Sequence, residues 1–173
     1  MQLVTIIMPY YKKINHVNNA INSIVQQTYK NYELLIIYDD PNEDDLSKIK
    51  KITSDNDKIK IIKNIENLGA GLSRNVGIKN ARGEIISFID ADDEWSKGKL
   101  EKQINFLNKF NYDFVFCGYK KNFNNKSKNI VYKYDFIDYK KLIYSCDIGL
   151  STVMIIKKII ENDLFPNLKT QED

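Results

Sequence analysis

The chain has 173 residues, with 26 Lys and Arg against 23 Asp and Glu and a formal charge of +3. Its 43% hydrophobic and 28% charged content excludes a disordered polymer, and so balanced a charge gives no reason to expect a nucleic-acid partner. No apolar run approaches the ~20 residues that span a bilayer, and the N-terminus lacks the basic-then-apolar pattern of a secretory signal.

Leu3–Met8 is a β-branched apolar run closed by Pro9, which predicts a buried strand ending at the proline. Val17, Ala20, Ile21, Ile24 and Val25 then form one helical stripe, with Asn15 as the expected N-cap. Glu33–Tyr38 reads as a second buried strand ending at Asp39-Asp40-Pro41-Asn42. Leu46, Ile49 and Ile52 mark a short helix with acids (Glu43, Asp44, Asp45) before it and lysines at its end, as the helix dipole favours. Ile59–Ile62 reads as a third strand, Asn67–Gly71 as a turn, and the stretch to about Ala81 as a helix ended by Arg82-Gly83.

Glu84–Ile89 is a fourth strand running into Asp90-Ala91-Asp92-Asp93. Leu100, Ile104, Leu107 and Phe110 predict a further amphipathic helix, and Asp113–Cys117 a fifth strand. Strand–helix alternation with near-continuous apolar strands implies an α/β sandwich whose parallel strands are covered on both faces. Beyond it, Lys120–Lys128 reads as a solvated loop or hairpin tip. Ile130–Phe136 reads as a strand, Asp138–Tyr144 as a short helix, Ser151–Ile156 as a strand and Lys157–Asn162 as a helix. No repeat or flexible linker interrupts the chain, so one domain is expected over 1–173. Its last residues, Thr170–Asp173, have no element behind them, which reads as an incomplete chain.

Cys117 and Cys146 lack metal or redox spacing and are expected as reduced, mostly buried thiols of a cytosolic protein. The single histidine, His16, falls at a helix start and is expected on the surface or at a cap. Chemistry must therefore run on carboxylates, hydroxyls, amides and cations. In a parallel sheet, ligands bind at the carboxyl ends of the strands. Three of those ends carry Pro9-Tyr10-Tyr11, Asp39-Asp40 and Asp90-Ala91-Asp92-Asp93. Strand-end acids also form turns and caps, and Asp92 or Asp93 is placed to cap the helix that follows. Receiver-like α/β domains, too, gather acids around Mg²⁺. The Asp-x-Asp spacing, however, points alternate side chains the same way, so that one carboxylate takes a hard divalent cation and its neighbour a hydroxyl. A cation held so neutralises a diphosphate leaving group.

Five segments resemble inverting family 2 glycosyltransferases with a GT-A fold. They are VTIIMPYYK (Val4–Lys12), AINSIVQQTYKNYELLIIYDD (Ala20–Asp40), NLGAGLSRNVGIKNARGEIISFIDADDEW (Asn67–Trp95), STVMI (Ser151–Ile155) and QED (Gln171–Asp173). They occur in the family's order and at about its spacings. The resemblance implies a Rossmann-like sandwich with a mostly parallel central sheet flanked by helices, a nucleotide-binding part over about 1–95, and an acceptor-side part over about 96–173 that is incomplete at its C-terminus.

The resemblance further implies that Pro9 and Tyr11 receive the base and that Asp39 accepts a hydrogen bond from it, with Asp40 as the alternative. Arg74 would approach the nucleotide or diphosphate, or else pair with a rim aspartate. Asp92 would touch ribose or metal, Asp93 would be the main ligand of Mn²⁺ or Mg²⁺ with Asp90 beside it, and Asp173 would be the general base, next to Glu172. The implied reaction is inverting transfer from a nucleoside-diphosphate sugar, UDP-linked by expectation, to a hydroxyl of a glycan or lipid-linked acceptor in surface polysaccharide synthesis. The expected place is the cytoplasm, with peripheral attachment to the inner membrane face. The alternative is a catalytically silent nucleotide-sugar-binding module. The sequence departs from the family pattern at Tyr38, which replaces a carboxylate, and at Gly149-Leu150, where some relatives carry His.

Overall fold

The computed structural model of the chain describes residues 1–123, 126–131, 148–160, 162 and 164–167. The first half alternates as expected. Strands β1 (Val4–Tyr10), β2 (Tyr32–Tyr38), β3 (Ile59–Lys63) and β4 (Ile85–Phe88) are separated by helices α1 (Ile14–Val25), α2 (Leu46–Thr53) and α3 (Gly69–Asn80). Helix α4 (Lys99–Phe110), β5 (Phe114–Val115), a hairpin of β6 (Tyr119–Phe123) and β7 (Lys126–Ile130), a 3₁₀ turn (Leu150–Thr152), β8 (Met154–Ile156) and α5 (Lys157–Ile160) follow. The six-stranded sheet runs β3-β2-β1-β4-β8-β5. β1 pairs parallel with β2 and β4, and β2 with β3, while β8 is antiparallel to both its neighbours.

Two apolar layers hold the sheet. Even-numbered residues of β1 (Val4, Ile6, Met8) and of β2 (Leu34, Ile36) pack with Val17, Ala20, Ile21 and Ile24 of α1, Ile49 of α2 and Leu100, Ile104 and Leu107 of α4. Ile7, Leu35, Ile37, Ile86 and Phe88 pack on the other face with Ile78 of α3, and Leu164 and Phe165 join them. Each such side chain, fully buried, contributes roughly 1.5–3 kcal/mol relative to exposure. α3 lies close on β1: a Cβ at Gly77 would come within 2.4 Å of Ile7 Cγ2.

Several local expectations change. β1 continues through Pro9, which pairs with Ile37. Ile89 donates to Ile7 O and Asp39 to Tyr10 O, so odd residues of β1 face β4 and even ones face β2. Pairing with β4 stops at Ile7–Phe88, so nothing there requires the N–H that proline lacks. Asn15 is not the cap, because α1 begins at Ile14. Gly69-Ala70-Gly71, expected as a turn, is already the first turn of α3, entered through Gly69 at φ +80°. Neither Asp92 nor Asp93 caps α4, whose N-cap is Gly98. Ile52 and Phe110 are exposed rather than in their helices' stripes. The hairpin reading of Lys120–Lys128 holds for its described residues, where 120–123 pair with 126–129. His16 is exposed and Cys117 is free. The expected strand beyond Val131, the Asp138–Tyr144 helix, Cys146 and Gln171–Asp173 lie outside the described residues.

Candidate active site

Because β1, β2 and β4 run parallel, their carboxyl ends share one rim. A cleft of about 640 Å³ opens there. Pro9 and Tyr10 at the end of β1 with Tyr11 and Lys13 just after it, Asp39 after β2, residues 67–72 and Arg74 around the start of α3, and Asp90, Ala91 and Asp92 after β4 line it; Pro166 and Asn167 form its far side.

Asp39 is buried and does structural work. Its Oδ1 accepts from Asn64 Nδ2 at 2.7 Å and from the Leu68 N–H at 2.9 Å, and its Oδ2 accepts from the Gly69 N–H at 2.8 Å. A carboxylate at the end of β2 thus satisfies the opening amides of α3, where helix dipole and orphan donors favour an anion. The adjacent Asp40 is fully buried and off the cleft; Oδ1 accepts from the Asn42 N–H at 3.2 Å. Tyr38 turns into the core, stacks on Tyr10 at 5.3 Å and accepts from the Asp45 N–H. Tyr10 donates to Asp45 Oδ2 at 2.7 Å. Burial, then Asp45, raises the Tyr10 pKa, so this hydroxyl stays a donor.

After β4 the chain presents three carboxylates. Asp90 Oδ1 accepts from Arg74 Nη2 at 2.7 Å, and the guanidinium is buried while the carboxylate is partly open. Asp92 Oδ2 accepts from Lys13 Nζ at 2.9 Å at the exposed mouth. Asp93 is held above the ordinary carboxylate range, first by loss of water around its carboxyl and then by the charges of Asp90 and Asp92, against a hydrogen bond from Ser151. Asp93 itself lies on an exposed stretch of chain, which moderates the loss of water. Ser151 Oγ also accepts from the Asp90 N–H at 3.0 Å, so β8's approach orders the loop.

The rim therefore brings together six of the expected residues, Pro9, Tyr11, Asp39, Arg74, Asp90 and Asp92, on one cleft. Asp93 stands beside them, and Asp173 lies outside the described residues. Among the described residues, no group of three or more His, Cys, Asp or Glu side chains is gathered tightly enough to hold a metal by itself. A pair of carboxylates with substrate phosphates as further ligands is the arrangement Mg²⁺ commonly takes, and a cation would offset both the burial and the neighbouring charges that raise Asp93. The donor set fits that use. Lys13, Asn64 and Ser151 escape a sequence reading of the site. Only Ser151 carried a signal, as the first residue of STVMI.

Residues 5–163 match the family described as glycosyl transferase family 2. The chain is 35% identical over 164 residues to the Escherichia coli protein named UDP-Glc:alpha-D-GlcNAc-diphosphoundecaprenol beta-1,3-glucosyltransferase WfgD, covering 95% of this chain and 64% of that protein. Among solved structures, Staphylococcus aureus TarS 1-349 in complex with UDP superposes with a TM-score of 0.79 at 22% identity, covering 99% of this chain and 52% of that one. The mannosyltransferase PcManGT from Pyrobaculum calidifontis, in complex with GDP-Man and Mn²⁺, superposes with a TM-score of 0.72 at 16% identity, covering 95% of this chain and 47% of that one. The chain spans between 28% and 64% of the length of the curated relatives it resembles at 35% to 38% identity.

Proposed function

The chain belongs to glycosyl transferase family 2, with the α/β fold of GT-A enzymes, and on that premise we propose that it transfers a sugar from a nucleoside-diphosphate sugar, UDP-linked, to a hydroxyl of a glycan or lipid-linked acceptor in surface polysaccharide synthesis. The observation that carries this reading is the single cleft that joins an exposed aromatic, Tyr11, to the Arg74–Asp90 pair and to Asp92. An aromatic face, a buried cation and an acidic pair are what a base, a diphosphate and its counter-ion require.

Pro9 and Tyr11 shape the base subsite. Asp39 keeps acceptor capacity on Oδ2, which a base N–H can use. Arg74 is held in its rotamer by Asp90 and faces the diphosphate. Asp92 and Asp93 would hold Mn²⁺ or Mg²⁺, with Asp90 beside them, and that ion supplies charge neutralisation at the departing nucleoside diphosphate. Relatives' names support the donor and acceptor classes: UDP-Glc and a diphosphoundecaprenol-linked sugar for the Escherichia coli protein. Polysaccharide synthesis finds support in a Bacillus subtilis relative at 29% identity, named as a putative teichuronic acid biosynthesis glycosyltransferase. No helix among the described residues is long and apolar enough to cross a membrane. Peripheral attachment at the inner face suits a lipid-linked acceptor.

The acceptor oxygen attacks the anomeric carbon as the bond to the phosphate oxygen breaks. Its proton passes to Asp173, a base contribution of about 10²–10⁴ in rate. One displacement inverts the anomeric centre. A thermal-shift panel of nucleoside diphosphates with Mn²⁺, followed by sugar release from the matching donor with and without acceptor, tests the reading. UDP stabilisation with sugar transfer supports it; UDP binding without sugar release leaves the silent module; no nucleotide stabilisation overturns both.

A further inference from the structure

The 3₁₀ turn Leu150–Thr152 and the residue after it are held by side chains from three places. Trp95 Nε1, between β4 and α4, donates to the Ser151 carbonyl at 2.8 Å. Gln103 Nε2, on α4, donates to the Thr152 carbonyl at 2.8 Å, and Ser87 Oγ, on β4, to the Val153 carbonyl at 2.7 Å. Gln103 is itself fixed by Lys99 Nζ at 2.7 Å. The turn also closes on itself, with the Thr152 N–H and Oγ1 both donating to the Gly149 carbonyl, at 2.9 and 2.6 Å. Three consecutive carbonyls with side-chain partners leave this backbone little freedom, so the Ser151 hydroxyl is placed before any ligand arrives. That hydroxyl meets the acid loop. The loop is a tight turn, closed by the Asp93 N–H donating to the Asp90 carbonyl at 3.0 Å. Ser151 Oγ accepts from the Asp90 N–H at 3.0 Å, and Asp93 takes a hydrogen bond from the same hydroxyl. A hydroxyl has one donor and two acceptor positions, so it serves both ends of the turn at once.

We propose that Ser151 is a positioning residue for divalent-cation binding at this rim: its hydroxyl holds the Asp90–Asp93 turn in the shape in which Asp92 and Asp93 would take Mn²⁺ or Mg²⁺. A carboxylate that accepts one hydroxyl keeps lone pairs for a cation. Hydrogen bonds to ligating carboxylates are worth about 10–100-fold in metal affinity, because they fix the ligand's orientation. The inference rests on the function proposed above and deepens its metal part. Ser151 is absent from the described residues that line the cleft. It reaches Asp90 only through the backbone N–H, while the Asp90 carboxylate stays on Arg74. Its influence on the nucleotide therefore passes through the cation and vanishes when the cation is removed.

The experiment compares wild type, Ser151→Ala and Ser151→Thr, the last keeping the hydroxyl. Calorimetry measures UDP affinity in EDTA and at rising Mn²⁺, which gives the Mn²⁺ concentration at half of its effect on UDP binding. The expected result for Ser151→Ala is a midpoint raised about 10-fold, with UDP affinity in EDTA within about twofold of wild type, and for Ser151→Thr a midpoint within about threefold of wild type. An unchanged midpoint in Ser151→Ala overturns the positioning role. So does a fall of UDP affinity in EDTA as large as that in Mn²⁺, which marks general damage to the cleft, and so does a Ser151→Thr midpoint as high as that of Ser151→Ala. Should Ser151→Ala fail to fold, Trp95→Phe, which removes the donor to the Ser151 carbonyl, decides by the same criteria. A wild type whose UDP binding responds to Mn²⁺ while Ser151→Ala keeps its midpoint sinks this inference alone; a wild type without UDP binding sinks the proposed function with it.

Discussion

At the amino ends of β1 and β2, Glu33 is enclosed. Thr5 Oγ1 donates to its Oε1 at 2.7 Å, the Arg82 N–H to the same oxygen at 2.8 Å, and Arg82 Nε to Oε2 at 2.7 Å. The Gly83 N–H closes the ring on Thr5 Oγ1. Burial pushes the Glu33 carboxyl up, but the Thr5 hydroxyl and Arg82 together hold it below its ordinary 4.5. On the opposite rim, after β4, Asp90, Asp92 and Asp93 have one cation each or none among the described residues, and burial followed by its neighbours' charges holds Asp93 above its ordinary 3.8. The same kind of side chain is a fastening at one rim and a source of repulsion at the other. Charge left uncompensated by the fold marks where a ligand completes it.

The largest effect is expected of Asp173, the proposed base. Asp173→Asn lowers transfer by about 10²–10⁴ while UDP affinity stays near wild type; a fully active variant removes Asp173 from the mechanism. At the other rim, Glu33→Ala strands Thr5 and the Arg82 N–H. It lowers stability by about 2–3 kcal/mol in denaturant titration and leaves UDP binding unchanged. The Glu33 contribution is present above pH 4.5 and fades as pH falls through the lower folded value.

Between the rims, Lys99 is buried over the Trp95 ring at 4.0 Å and donates to Gln103 Oε1 at 2.7 Å. Burial pulls its pKa down to about 7, with Cys117 opposing. From pH 7 to 9 the unfolded chain carries a proton that the folded one lacks, so stability rises with pH. Lys99→Met flattens that rise, by up to about 1.4 kcal/mol per unit; an unchanged pH profile refutes it. The smallest effect belongs to Lys13→Ala, which frees Asp92 from its exposed ion pair. UDP affinity in Mn²⁺ shifts by a few-fold at most, and less at high salt.

The sequence made the first four strands legible because parallel strands covered on both faces are continuous apolar runs, and the acids after them fall on one rim once the strands are parallel. It did not show β8 entering antiparallel between β4 and β5, since an apolar run carries no record of its partner. Gly69 and Gly71 hid the start of α3 because their helix propensity is poor, whereas Asp39, distant in sequence, supplies the cap. Glu33 lay inside an apolar run with nothing to announce Arg82 as its partner. Ser151 stood in a recognised motif, but its partner Asp90 is 61 residues away.

The central claim is that the rim carboxylates await a cation and a diphosphate. Calorimetric titration of UDP in Mn²⁺, repeated after chelation and with Asp93→Asn, tests it most directly. The account predicts that chelation weakens UDP binding to the wild type and that Asp93→Asn binds UDP weakly with or without Mn²⁺; equal affinity under all these conditions would contradict it.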